Sequence, residues 1–140
     1  MPFVSVTRLR LRGWRFLPAF GIGAFRSARQ AKSAPGALAV ALLADSGRAF
    51  WTLTVWQDEP AMRAFMGSGA HRRVMPRLLD WCDAAFLVHW TQDLPEPPSW
   101  AEAHRRMLKE GRRSRVRFPS PAHERFEIPA PRTTHEHRWK

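Results

Sequence analysis

The segment 49–56 constrains the fold more than any other part of the chain, because both of its faces are apolar. Its aromatic and β-branched residues predict a strand. Side chains alternate across a strand, so Trp51 and Trp56 lie on opposite faces. The segment 84–91 is apolar on both sides in the same way. A two-layer domain leaves one face of its sheet to water, so something must cover the second face of this sheet.

The remaining pattern predicts strands and helices in the order βαββαβ. The predicted elements are strands over 3–12, 37–43, 48–57 and 84–91, a helix over 14–33, and a helical region from Asp58 to Trp81 that Gly67-Ser68-Gly69 interrupts. This order is typical of an α+β, ferredoxin-like fold, with an antiparallel sheet and both helices on one face. Two copies pressed together would bury the bare face, so the pattern predicts a homodimer that closes into a dimeric α/β barrel.

The composition changes after residue 93. Residues 1–93 are predicted to form the α/β-barrel domain, and residues 94–140 a Pro- and Arg-rich C-terminal extension. Ser99, with Glu102 three residues later, forms a capping box and predicts a short helix over about 99–111. The rest of the extension has few core residues, which predicts an irregular or disordered arm.

Composition also limits the class of protein. A single cysteine, Cys82, excludes an internal disulfide and a multi-cysteine metal site, and no metal site is predicted. There is no signal-peptide pattern and no stretch near the ~20 apolar residues of a membrane span, so a cytoplasmic protein is expected. The net charge is +11 and is densest in the extension. This excess indicates either attraction to polyanions or a solvated arginine-rich surface.

The run from Phe50 to Glu59, followed by Ala61–Phe65 and Gly69–Arg72, resembles a known group. It is similar to the antibiotic-biosynthesis-monooxygenase-like dimeric α/β-barrel proteins, near spheroidene monooxygenase and a related bacterial family of unknown function. The resemblance covers residues 3–92 and excludes the extension. It implies one of several roles, among them cofactor-free monooxygenase, haem-binding oxygenase, isomerase or stress protein, so the fold alone does not settle the function.

His71 is the candidate catalytic and cofactor-binding residue. It borders an apolar stripe of Val74, Met75 and Leu78, and it follows the glycine-rich break in the second helical region. The positive end of the helix dipole would lower the pKa of His71 and keep its imidazole neutral. A neutral imidazole suits a haem ligand or a general acid or base. The alternative is a structural histidine that hydrogen-bonds to the helix break.

Aromatic and basic residues complete the predicted substrate pocket. Its members are Trp51, Trp56, Phe65, Trp90, Arg26 and Arg72. The aromatic side chains would line the barrel interior, and the arginines would hold an anionic group at its mouth. The alternatives are core filling and solvated surface charge. His89 is interpreted as a partly buried, hydrogen-bonded side chain.

Two functions are compatible with these residues. The first is a monooxygenase-like pocket protein, an oxidoreductase if it is an enzyme, that takes a small apolar organic substrate. Haem binding and cofactor-free chemistry both remain open in this hypothesis. The second is a non-enzymatic module whose basic extension contacts nucleic acid or an acidic partner, although no nucleic-acid-binding motif occurs. The aromatic residues concentrate in the strands and not among the arginines of the extension, which favours the first function.

Overall fold

The computed structural model describes residues 1–133 and 135–139. The strands are β1 (Phe3–Leu11), β2 (Ala37–Ala44), β3 (Ala49–Trp56), β4 (Cys82–Thr91), β5 (Arg112–Arg113) and β6 (Glu136–Trp139). The α-helices are α1 (Leu17–Ser33), α2 (Glu59–Met66), α3 (Gly69–Trp81), α4 (Trp100–Glu110) and α5 (Pro121–Glu124). A 3₁₀ turn, Trp14–Phe16, leads into α1. No helix among these residues is long and apolar enough to cross a bilayer.

The strands form one antiparallel sheet in the order β5-β4-β1-β3-β2-β6. Its four central strands come from the βαββαβ unit, which confirms the predicted α+β, ferredoxin-like fold. The register places Ser5 of β1 between Thr54 of β3 and His89 of β4. Because side chains alternate along each strand, these three residues share one face of the sheet.

Helices α1, α2 and α3 cover that face. Met62 and Phe65 of α2 pack with Trp56 and Ala31 into one buried cluster. Helix α1 approaches α3 closely at Gly23, where an added Cβ would lie 2.6 Å from the side chain of Val74. The glycine therefore allows close helix packing, although it weakens helix formation by about 1 kcal/mol.

The opposite face of the sheet is covered by the chain's own extension. Trp51 and Phe86 of the sheet lie in one cluster with Trp100, Ala103 and Met107 of α4, and all five are 3% exposed or less. From the sequence pattern this face was predicted to be bare and to be buried by a second copy of the chain. The structure shows α4 in that position. A homodimer paired through this face would require α4 to leave it.

The extension continues around both edges of the sheet. Ser99 caps α4 by accepting a hydrogen bond from the Glu102 N–H at 3.1 Å. Strand β5 then pairs with β4, and β6 pairs with β2 at the opposite edge. Between these two strands Ile128 returns to the cluster under α4. The arm is irregular over much of its length, but it is packed against the domain and contributes to its core.

Met107 tests the contact between α4 and the sheet. Its side chain is fully buried, so Met107→Ala should lower the free energy of unfolding by about 2–5 kcal/mol through lost burial and the cavity left behind. Leu108, the next residue, is 51% exposed and provides the control, since Leu108→Ala should change stability little. Urea unfolding of the three full-length proteins measures both effects. Equal stability of the two variants would contradict the packed position of α4.

Candidate functional site

A cavity of about 350 Å³ lies between the helical face of the sheet and helices α1 and α3. Its size falls within the range of small-ligand sites, which hold about 300–1,000 Å³. Most of the wall is apolar, with Phe20 and Ala24 from α1 and Val74 and Leu78 from α3. None of the residues of α3 is fully buried, because the inner side of this helix faces the cavity.

The floor of the cavity, which the sheet forms, carries polar side chains among apolar ones. Ser5 and Thr7 of β1 pair across the strands with Thr54 and Thr52 of β3, so four hydroxyl groups form an array on one face. Ser27 of α1 also lines the cavity, and its buried Oγ has no hydrogen-bond partner among the described residues. The site therefore offers donors and acceptors to an oxygen-bearing ligand held between apolar walls.

His71 lines the cavity at the beginning of α3. Its Nδ1 lies 3.3 Å from the carbonyl oxygen of Met66, and its ring centroid is 4.7 Å from that of Phe65. A carbonyl can only accept, so this contact assigns the proton to Nδ1 and leaves Nε2 as the basic nitrogen. Burial lowers the pKa of His71, and the Met66 carbonyl opposes this. Burial therefore favours the neutral imidazole that the sequence predicted.

Gln30 of α1 holds His71 in position. Its Nε2 donates to the Ser68 carbonyl at 2.9 Å, and its Oε1 accepts from the His71 N–H at 3.0 Å. A Cβ on Gly69 would lie 2.9 Å from the Gln30 side chain, and the φ of Gly69 is +59°, so glycine suits this position on both counts. Gln30 was not predicted from the sequence, because a glutamine in mid-helix carries no motif for a partner 41 residues away.

His89 of β4 is a second imidazole in the cavity wall. Burial lowers its pKa, the positive charge of Arg112 adds to the shift, and its ring centroid lies 5.3 Å from that of Phe3. His89 was not among the pocket residues predicted from the sequence. The register of β4 with β1 places it beside Ser5, and this pairing is the signal that could have identified it.

The other predicted pocket residues divide between the two faces of the sheet. Phe65 lines the cavity with His71. Trp56 is on the same side of the sheet but is buried in the core, where it stacks on Phe65 with a centroid distance of 5.1 Å. Trp51 and Trp90 lie on the opposite face beside α4, so they do not line this cavity. The alternation of side chains along β3 predicted that Trp51 and Trp56 lie on opposite faces of the sheet. It could not show which of the two faces holds the cavity.

The predicted arginines lie outside the cavity. Arg26 of α1 and Arg72 of α3 are exposed, and neither is part of the cavity wall. Within residues 1–133 and 135–139, the one charged residue in the cavity wall is Arg115, from the extension. Cys82 is buried, and burial raises the pKa of its thiol to about 12, so it is unsuited to nucleophilic chemistry.

The described residues fit a haem poorly. The free Nε2 of His71 has the chemistry of a haem ligand. However, the cavity volume is near the lower limit for small-ligand sites, whereas a porphyrin is a large ligand with two carboxylates. Arg115 is a single cation for those two groups. No cluster of three or more histidine, cysteine or acidic side chains within the described part of the chain could hold a metal ion.

The sheet order and the cavity under the helices define the class of the protein, an α+β pocket protein of ferredoxin-like type. The chain belongs to the family described as "Domain of unknown function (DUF3291)", which matches residues 24–124. This match spans the boundary at residue 93 and includes α4 and α5. The comparison with curated proteins gives no match.

Solved structures share the fold. SnoaB from Streptomyces nogalater, a cofactor-independent oxygenase solved as a single-residue mutant, is 21% identical, with a TM-score of 0.56 over 68% of this chain and 98% of its own. A putative antibiotic biosynthesis monooxygenase from Nitrosomonas europaea is 15% identical, with a TM-score of 0.59 over 67% and 92%. These similarities confirm the fold that the sequence motif indicated. The uncovered third of this chain is close in length to the extension.

The two cavity histidines should make stability depend on pH. Burial lowers the pKa of His71 and of His89 below the ordinary value of 6.5, so the unfolded chain binds protons at a higher pH than the folded protein. The free energy of unfolding should be highest above about pH 6.5. It should fall as the pH drops towards the lowered pKa values of the two folded-state histidines. Thermal unfolding measured from about pH 8 to about pH 5 tests this.

A matched variant shows how much of this pH dependence of the Tm comes from His71. His71→Gln should reduce the loss of Tm on acidification without abolishing it, because the pKa values of His89 and of His123 are also lowered by burial. A Tm that stays constant over the whole range in the unmodified protein would contradict the neutral, buried state of these side chains.

Proposed function

We propose that the protein binds a mainly apolar organic molecule in the cavity and oxygenates it without a bound cofactor. The observation that carries this proposal is the position of His71, whose basic Nε2 belongs to a neutral imidazole in an apolar cavity of about 350 Å³. The similarity in fold to SnoaB, described as a cofactor-independent oxygenase, supports it.

The chemistry requires a substrate with an acidic C–H bond. His71 removes this proton as a general base, which is why a neutral imidazole is needed. The resulting carbanion reduces dioxygen, a C–O bond forms, and loss of water leaves a carbonyl group. The sum R₂CH₂ + O₂ → R₂C=O + H₂O balances without an external reductant, because the substrate supplies all the electrons.

The rest of the site supports each part of this reaction. The walls contributed by α1 and α3 exclude water from the reactive carbanion. The hydroxyl groups of Ser5 and Thr54, with His89 beside Ser5 on strand β4, can hydrogen-bond an oxygen atom of the substrate. Gln30 acts as a positioning residue, because it fixes the backbone of His71.

The structure does not favour a nucleic-acid-binding arm. Several arginines of the extension have acidic partners within the chain, such as Arg106 with Glu102 at 2.9 Å and Arg117 with Asp80 at 2.7 Å. Trp100 of α4 is buried against the sheet and is not available for base stacking. The homodimer and the cytoplasmic location remain predictions, and a dimer would need a surface other than the one under α4.

Oxygen uptake tests the role of His71. The probe is 2-tetralone, an apolar ketone with an acidic methylene group. His71→Ala should lower kcat/KM by about 10²–10⁴-fold, the usual contribution of a general base. His135→Ala is the control, because His135 is exposed and does not line the cavity. Equal rates in the unmodified protein and His71→Ala would contradict the proposed base. No uptake above the protein-free rate would count against oxygenation of this class of substrate.

An absorption spectrum tests the cofactor-free mechanism. Protein produced with haem supplied should show no Soret band, because the cavity is small for a porphyrin. A Soret band that disappears in His71→Ala would replace the proposal with a haem-dependent one. A band that persists in that variant would show haem binding elsewhere.

A further inference from the structure

We infer that Arg115 binds the anionic end of the substrate, and that the substrate is an elongated apolar organic acid. This inference rests on the proposed function, because it takes the cavity as the substrate site. It goes further by naming the chemical class of the substrate and the side chain that selects it.

Arg115 is the one source of formal charge in the cavity wall among the described residues. The other lining residues of that part of the chain are apolar, hydroxyl-bearing or neutral histidines, and none is acidic. Arg115 forms no ion pair and no side-chain hydrogen bond within residues 1–133 and 135–139, whereas the nearby Arg117 is paired with Asp80. An unpaired guanidinium beside an apolar cavity is suited to a bidentate contact with a carboxylate.

The backbone around Arg115 is fixed on both sides. The N–H of Ser114 donates to the Ala85 carbonyl of β4 at 2.8 Å, and the N–H of Arg117 donates to the Leu79 carbonyl of α3 at 2.9 Å. Between them, the half-buried Val116 packs against the cluster around Leu11. The extension thus holds Arg115 at the rim between β4 and α3, and this anchoring reduces the entropy lost when a ligand binds.

The cavity has two chemically different ends. Through Arg117, the segment that carries Arg115 is bonded to Leu79, which lies eight residues along α3 from His71, about 12 Å at 1.5 Å per residue. Along β4, Ala85 and His89 are four residues apart, which corresponds to about 13 Å. On each of these two elements, the residue bonded to the Arg115 segment is thus well separated from the histidine that lines the cavity. A ligand that meets Arg115 with its anionic group and His71 with its acidic C–H bond must therefore be elongated.

The acid group is selected by the extension and not by the βαββαβ unit. Residues of the unit contribute only uncharged groups to the cavity, while Arg115 lies 22 residues beyond its boundary at residue 93. Without Arg115 the same cavity would favour neutral molecules, because burying an unpaired carboxylate is costly. The arginine thus changes the preferred substrate from a neutral compound to an acid.

Two probes of equal shape test this inference with the full-length protein. Anthracene-2-carboxylate and anthracene-2-carboxamide differ in charge but hardly in shape, and their fluorescence reports binding. The unmodified protein should bind the carboxylate about ten-fold or more tightly than the amide. Arg115→Ala should lose this preference by weakening carboxylate binding alone, and Arg115→Lys should keep part of it. Arg77→Ala is the control, because Arg77 is an exposed arginine of α3 outside the cavity wall.

The outcomes separate this inference from the proposed function. If the unmodified protein binds both probes equally, or if Arg115→Ala keeps the preference for the carboxylate, the role of Arg115 is overturned while the cavity remains a ligand site. If neither probe binds and neither slows oxygen uptake with 2-tetralone, the cavity itself is not the substrate site. Arg115 is exposed, so its substitution should leave the Tm unchanged, and a Tm comparison excludes unfolding as the cause of lost binding.

Discussion

The structure depends on covering both faces of a single apolar sheet. Trp51 and Phe86 are fully buried on one face, and Trp56 is fully buried on the other, so neither face could be left to water. Helices α1 to α3 cover one side and α4 covers the other. Burial of a large apolar side chain stabilises a protein by about 1.5–3 kcal/mol. The buried residues of α4, such as Met107, each add a contribution of this kind, which is large beside the small net stability of a domain.

The strand pattern predicted the fold, because the alternation of apolar side chains within a strand depends only on residues close together in the sequence. Alternation along 49–56 showed two apolar faces, and the order of the elements indicated how the strands pair. The element that covers the second face could not be predicted in the same way. Trp100, Ala103 and Met107 form an apolar stripe on α4, but such a stripe is the same whether the helix packs on its own sheet or on another molecule. The predicted cover was therefore a second copy of the chain, whereas the structure has α4 in this position.

The candidate site was predictable only where its signals were local. His71 follows a glycine-rich break and borders an apolar stripe, so it could be identified from its neighbours. Gln30 and Ser5 act through partners distant in the sequence, Gln30 with His71 and Ser5 with Thr54, and no spacing rule connects them. Arg115 was missed because the extension was treated as a tail. Its position follows from two backbone hydrogen bonds that only the folded chain reveals.

The edge strands β5 and β6 have a consequence for the behaviour of the protein in concentrated solution. The outer strands of the βαββαβ unit, β4 and β2, would otherwise expose rows of backbone amides and carbonyls, which recruit other chains into growing sheets. Here those rows are partly occupied by two residues of β5 and four of β6. The new edges are short, and they carry Arg112 and Arg113 on one side and Arg138 on the other. The segment that completes the core thus also protects this apolar sheet from aggregation.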